Sequence, residues 1–203
     1  MGRDKAQLAY RGQTFLENNI HTLRLSDIER IAVVLGHHAD EIQNALKLEG
    51  VEVVINPDYR LGQTSSLQAG LRAVAAASSP SRSKAKGGGG DTASTEDELE
   101  AVVLALVDHP AVTSATVMKL VETFLNFRPP VVIPTYQGQR GHPAIIARAL
   151  FPELLALGPD EGANTVVRKY RDQTRFVMVD DPGILLDVDD PKMYNRLQGA
   201  SDD

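Results

Sequence analysis

The stretch VEVVINPDYRLGQTSSLQAGLRAV, residues 51–74, contains the transition on which the fold turns. Residues 51–55 are valine-rich and apolar apart from Glu52, the composition of a short strand buried on both faces. Leu67, Leu71 and Val74 recur at helical spacing, and the polar segment between strand and helix carries Pro57 and Gly62, which interrupt regular structure. Strand, loop and helix in that order form the repeating unit of an α/β domain. Working outward, residues 31–35 (IAVVL), 102–107 (VVLALV) and 131–133 (VVI) read as further strands. Helical patterns lie between them: Leu16, Ile20 and Leu23 follow a capping box of Thr14 and Glu17, and Val117, Leu120, Val121 and Phe124 follow Thr113. The alternation predicts an α/β fold on a mainly parallel (mixed) sheet, doubly wound, with ligands beyond the carboxyl ends of the strands.

The 203 residues suit one domain, expected over residues 1–198. Residues 78–97 (SSPSRSKAKGGGGDTASTED) hold no large apolar side chain, so they read as a flexible surface insertion, and residues 199–203 as a frayed tail. Lys and Arg total 21 against 27 Asp and Glu, a net charge of -6, which argues against binding a nucleic-acid polymer but leaves a single small polyphosphate open. With no cysteine, disulfides, thiolate metal sites and a cysteine nucleophile are excluded. No apolar run approaches the roughly 18 residues of a membrane span and the opening is too polar for a signal peptide, so the chain reads as cytoplasmic.

Four segments could carry chemistry. In residues 107–110 (VDHP), Asp108 ends an apolar run just before a proline, where it could hold a metal or cation or simply cap a turn. His109 beside it reads as a solvated loop histidine. In residues 56–67, Gly62 permits unusual backbone angles, and Ser65 or Ser66 is expected at a helix N-terminus, as a phosphate cradle or as a plain N-cap. In residues 185–191 (LLDVDDP), a strand is expected to deliver Asp187 and Asp189 to one face, where they could address one cation. Asp190 before Pro191 reads as a helix N-cap. In residues 139–143 (QRGHP), Gly141 suggests a tight turn presenting Arg140 and His142.

In this order, MGRDK (residues 1–5), NPDYRLGQTSSLQAGL (56–71), VDHP (107–110), RGHP (140–143) and LLDVDDP (185–191) resemble the molybdenum cofactor cytidylyltransferases of the MobA-like NTP transferase family. The resemblance implies a three-layer α/β/α sandwich of the nucleotide-diphospho-sugar transferase type. It also implies a Mg²⁺-dependent reaction in which a phosphate of the pterin cofactor attacks the α-phosphate of an NTP, CTP in this branch's pattern, and pyrophosphate leaves. Lys5 would neutralise the phosphates and Asp108 would hold Mg²⁺, with Asp187 and Asp189 completing the metal site. Gly62, Ser65, Ser66 and Leu67 would line the nucleotide pocket, and Arg140 and His142 would face the acceptor. A molybdoenzyme or its chaperone would be the protein partner.

The family pattern opens with a strand and a glycine-rich loop of the form LAAGxSxRMGxxK, of which the sequence carries the MGxxK end. A sheet lacking that first strand is therefore expected. The alternatives are a nucleotidyltransferase acting on another small phosphate acceptor, and a non-catalytic module that binds the cofactor.

Overall fold

The computed structural model describes residues 4–78 and 99–199. The expected insertion and tail lie outside the described residues, apart from Ser78 and Gly199 at their borders. A short hairpin, β1 (Ala9–Tyr10) and β2 (Gln13–Thr14), leads into α1 (Phe15–Arg24), where the Thr14 and Glu17 capping box forms in both directions. β3 (Ala32–Leu35), α2 (Ala39–Ala45), β4 (Glu52–Ile55) and α3 (Gln63–Ala77) follow. Next come β5 (Ala101–Leu104), α4 (Ser114–Phe127), β6 (Val131–Tyr136), β7 (Gln139–Arg140) and β8 (Ala144–Ala147). α5 (Phe151–Leu155), α6 (Asn164–Lys169), β9 (Arg175–Met178) and α7 (Pro191–Gly199) complete the described chain.

β3 and β4 pair in parallel, and a second, mixed sheet runs β5-β8-β6-β7 with β9 parallel to β6. β3 and β5 each keep one edge without a strand partner among the described residues. Side chains of β6 and β8 alternate between two cores. Val131, Ile133, Ala144 and Ile146 meet Leu71 of α3 and Leu154 of α5, whereas Val132 and Ile145 meet Leu120 and Phe124 of α4. The same division holds at β3, where Val33 and Leu35 pack with Leu16 and Ile20 of α1. Val34, on the opposite face, approaches Gly70 of α3 so closely that a Cβ there would sit 2.9 Å from its Cγ2. Helices thus cover both faces of the strands, the expected three layers.

Three local expectations are corrected. The strand expected over residues 102–107 ends at Leu104, and Val107 instead packs among α1, β3 and the β1 segment. The turn of the β6–β7 hairpin lies at Gln137 and Gly138, whose φ angles are 49° and 79°, and not at Gly141. Gly141 marks a break between β7 and β8 where an added Cβ would collide with the Ile184 carbonyl oxygen, leaving no room for a side chain. Residues 182–185 form a 3-10 turn in place of the strand expected before Asp187, because Asp181 caps Gly183 and Pro182 starts a helical turn.

Candidate active site

The hairpin and the C-terminal segment pack together: Leu8, Tyr10 and Phe15 share a cluster with Val188 and Leu197. That cluster sets Lys5, in the 3-10 turn Lys5–Gln7 capped by Asp4, against the loop after β5. The Val188 N–H donates to the Asp108 carbonyl at 3.0 Å, and the Val188 side chain is fully buried. Asp187 and Asp189, on either side of it, are exposed and turned to the opposite side.

Lys5 Nζ donates to Asp108 Oδ2 at 3.2 Å and also pairs with Asp189 Oδ1. Burial opposes the Lys5 charge, but its hydrogen bonds to Asp189 and Asp108 outweigh that and raise its pKa. Asp187 lies on the other side of Asp108: ligand atoms of Asp108, His109 and Asp187 fall within 4.8 Å of one another. Desolvation first, then the charges of Asp108 and Asp189, raise the Asp187 pKa, whereas the Lys5 hydrogen bond lowers that of Asp189. The three carboxylates outnumber the Lys5 ammonium, so the cluster attracts a cation. Asp108 Oδ1 is buried without a hydrogen-bond partner among the described residues, an arrangement that suits a divalent ion.

His142 reaches this cluster through His109, with ring centroids 5.1 Å apart. The His142 backbone N–H donates to the Ile184 carbonyl at 3.0 Å, which ties the break after β7 to the segment carrying Asp187. Burial, then the neighbouring His109, lowers its pKa against the pull of Asp108. Arg140 is not brought to the cluster; its guanidinium stacks over Phe176 at 4.6 Å.

The loop after β4 lies to one side. Gly62, with φ of 96°, caps α3, so the helix begins at Gln63 and Ser65 falls inside its first turn instead of before it. The Ser65 hydroxyl donates to the carbonyls of Asp58 (2.9 Å) and Gly62 (2.8 Å). Asn56 Nδ2 donates to Ser65 Oγ (2.9 Å) and Ser66 Oγ (3.0 Å). Leu67 packs against the core beside Leu71. This loop adjoins the Lys5 segment through two histidines: His37 stacks near Tyr59 at 5.7 Å, and ligand atoms of Asp4, His37 and His38 lie within 4.8 Å of one another.

Two residues of the site escaped the sequence reading. His109, read as a solvated loop residue, is 7% exposed and belongs to the carboxylate cluster. Asp181, 4% exposed, accepts hydrogen bonds from Thr113, Thr116 and Gly183 and so joins the start of α4 to the turn before Asp187. No local signal marked the first: a following proline holds the backbone of His109 extended but does not decide which way its ring points.

Residues 1–174 match the family model of the MobA-like NTP transferase domain, a span that holds Lys5, Asp108 and His142 and stops short of Asp187. Nicotine blue oxidoreductase of Paenarthrobacter nicotinovorans is 27% identical over 201 residues, covering 95% of this chain and 87% of that protein. A probable molybdenum cofactor guanylyltransferase of Opitutus terrae is 32% identical over 77 residues, 38% of this chain and 36% of the other. The crystal structure of Rv0371c from Mycobacterium tuberculosis H37Rv matches with a TM-score of 0.78 and 27% identity, over 98% of this chain and 90% of that one. Its complex with manganese matches with a TM-score of 0.74, over 98% and 93%. Over most of its length, then, the chain belongs to the MobA-like NTP transferase family, and it is a nucleotidyltransferase.

Proposed function

We propose that the protein transfers a nucleotide from an NTP, CTP in the first instance, to the terminal phosphate of a molybdopterin-type cofactor in the cytoplasm. An oxygen of the acceptor phosphate attacks the α-phosphorus, the bond from that phosphorus to the bridging oxygen breaks, and pyrophosphate leaves. The observation that carries this reading is the meeting of Lys5, Asp108 and Asp187, drawn from the start, middle and end of the chain, around a buried carboxylate oxygen.

Two anions must be held in line for this reaction, and the charge on the triphosphate must be offset. A divalent ion, Mg²⁺ in the family pattern, neutralises charge on the phosphates when bound. Asp108 and Asp187 would hold it. Asp189, paired with Lys5, would hold the ammonium near the triphosphate instead of acting as a ligand. The loop around Gly62, Ser65 and Ser66 would take the nucleoside, with Leu67 supporting it from the core. His142 would face the acceptor, and Arg140, at the far end of the same short segment, would meet a more distal part of it or a molybdoenzyme partner.

The test is pyrophosphate release from CTP, GTP and ATP with the pterin acceptor and a divalent ion. CTP should be preferred, and Asp108→Ala should lower turnover by about 10²-fold or more. An Asp108→Ala protein as active as its parent would refute the metal assignment. Assaying the same preparation for the redox activity that names the Paenarthrobacter relative checks that reading independently.

A further inference from the structure

We propose that His109 is a nitrogen ligand of the divalent ion, so that the site favours transition metals such as Mn²⁺ and Co²⁺ over Mg²⁺. This rests on the metal site proposed above at Asp108 and Asp187. A ring nitrogen of His109 and one carboxylate oxygen each from Asp108 and Asp187 lie within 4.8 Å of one another. Ligands about 2.0–2.2 Å from a shared ion stand roughly 3 to 4.4 Å apart, so a small closure of these three side chains completes the set.

Burial separates this histidine from a solvated one. His109 is 7% exposed, and its Nδ1 is buried with no hydrogen-bond partner among the described residues, like Asp108 Oδ1 beside it. A buried polar atom without a partner is destabilising, and three of them, on Asp108, His109 and the His142 ring stacked beside it, point to a place built for something else to bind. The ring cannot easily swing away, because it packs against His142 and is followed by the buried Pro110. Ligand chemistry then sets the preference. Mg²⁺ takes oxygen donors and gains little from imidazole, whereas affinity for a mixed nitrogen and oxygen site climbs through the first-row ions from Mn²⁺ to Co²⁺.

Two measurements on the intact protein test this without relying on turnover. Calorimetric titration should give affinities rising from Mg²⁺ to Mn²⁺ to Co²⁺. His109→Asn should weaken Co²⁺ by at least about tenfold while changing Mg²⁺ much less. Pulsed electron paramagnetic resonance of the Mn²⁺-loaded protein should show coupling to an imidazole nitrogen. That coupling should persist in a His37→Ala/His38→Ala protein, which removes the other histidine cluster, and disappear in Asp108→Asn. Unmodified protein whose bound Mn²⁺ shows no nitrogen coupling would overturn the role of His109, and this outcome needs no variant to fold. Binding of all three ions unchanged by Asp108→Asn would instead overturn the metal site itself.

Discussion

Replacing Asp181 with alanine should destabilise the protein by about 3–5 kcal/mol, because its carboxylate is the buried junction between two segments that the site needs. Oδ2 accepts from the Thr113 N–H at 2.9 Å, the Thr113 hydroxyl at 2.8 Å and the Thr116 hydroxyl at 2.6 Å, and Oδ1 accepts from the Gly183 N–H at 2.9 Å. The two hydroxyls can rotate toward other acceptors. The two backbone N–H groups cannot, and each buried donor left unpaired costs about 1–3 kcal/mol, with the rest of the loss coming from the charged hydrogen bonds themselves. Against a total stability of roughly 5–15 kcal/mol, this is a large fraction. It corresponds to a fall of roughly 6–20 °C in melting temperature for a domain of this size. Urea unfolding of the parent, Asp181→Ala, Asp181→Asn and Thr116→Val should rank them in that order of decreasing loss after the parent, since asparagine keeps one acceptor and valine removes a single donor. Activity of Asp181→Ala below what its folded fraction explains would follow from displacement of residues 184–188, which hold His142 and Asp108 through Ile184 and Val188. A loss of less than about 1 kcal/mol on Asp181→Ala would refute this account of the junction.

Two further substitutions probe other supports of the same architecture. Glu17 closes the capping box of α1, and its carboxyl is held below its usual 4.5, first by the Thr14 N–H, so its contribution is present above that pH and is lost as pH falls below it. Glu17→Gln should cost about 0.5–1 kcal/mol near neutrality and remove part of the parent's loss of stability between pH 5 and pH 3, read from urea midpoints. Gly141→Ala would drive a Cβ into the Ile184 carbonyl, so thermal unfolding should come lower and nucleotidyl transfer should fall with it; an unchanged melting temperature would mean that the break between β7 and β8 yields easily.

The strands legible in the sequence were those whose two faces are both covered. Val33 and Val34 of β3 meet helices on opposite sides, so an unbroken apolar run was the only pattern that fits. The same rule overextended β5, because Val107 is partly buried beside α1 and β1 while lying outside any strand; apolar content records burial, not hydrogen bonding. β9 was missed for another reason. Residues 176–179 (FVMV) are an apolar run that the reading passed over, and only Val177 of the four strand residues is buried, so composition overstates how much of it is core. Capping was more legible than pairing: Thr14, Thr113 and Asp190 each accept from the backbone N–H three residues on, a contact that needs no distant partner.

The same distinction between local and distant contacts explains the site. Asp187 and Asp189 were expected on one face because an extended chain alternates, and that holds although the segment forms no strand, since burying Val188 suffices to turn both neighbours outward. Alternation says nothing about which carboxylate meets which partner: the two side chains remain in contact with each other, while Asp189 pairs with Lys5 and Asp187 joins Asp108 and His109. That choice is made by Leu8, Tyr10 and Phe15, which pack on Val188 from the start of the chain and thereby bring Lys5 to one side of it. The difference is chemical. Asp108 shares the Lys5 ammonium through Oδ2 but keeps Oδ1 without a partner among the described residues, so in the proposed site the packing of three apolar residues would leave Asp108 and Asp187 to the metal and Asp189 to the ammonium.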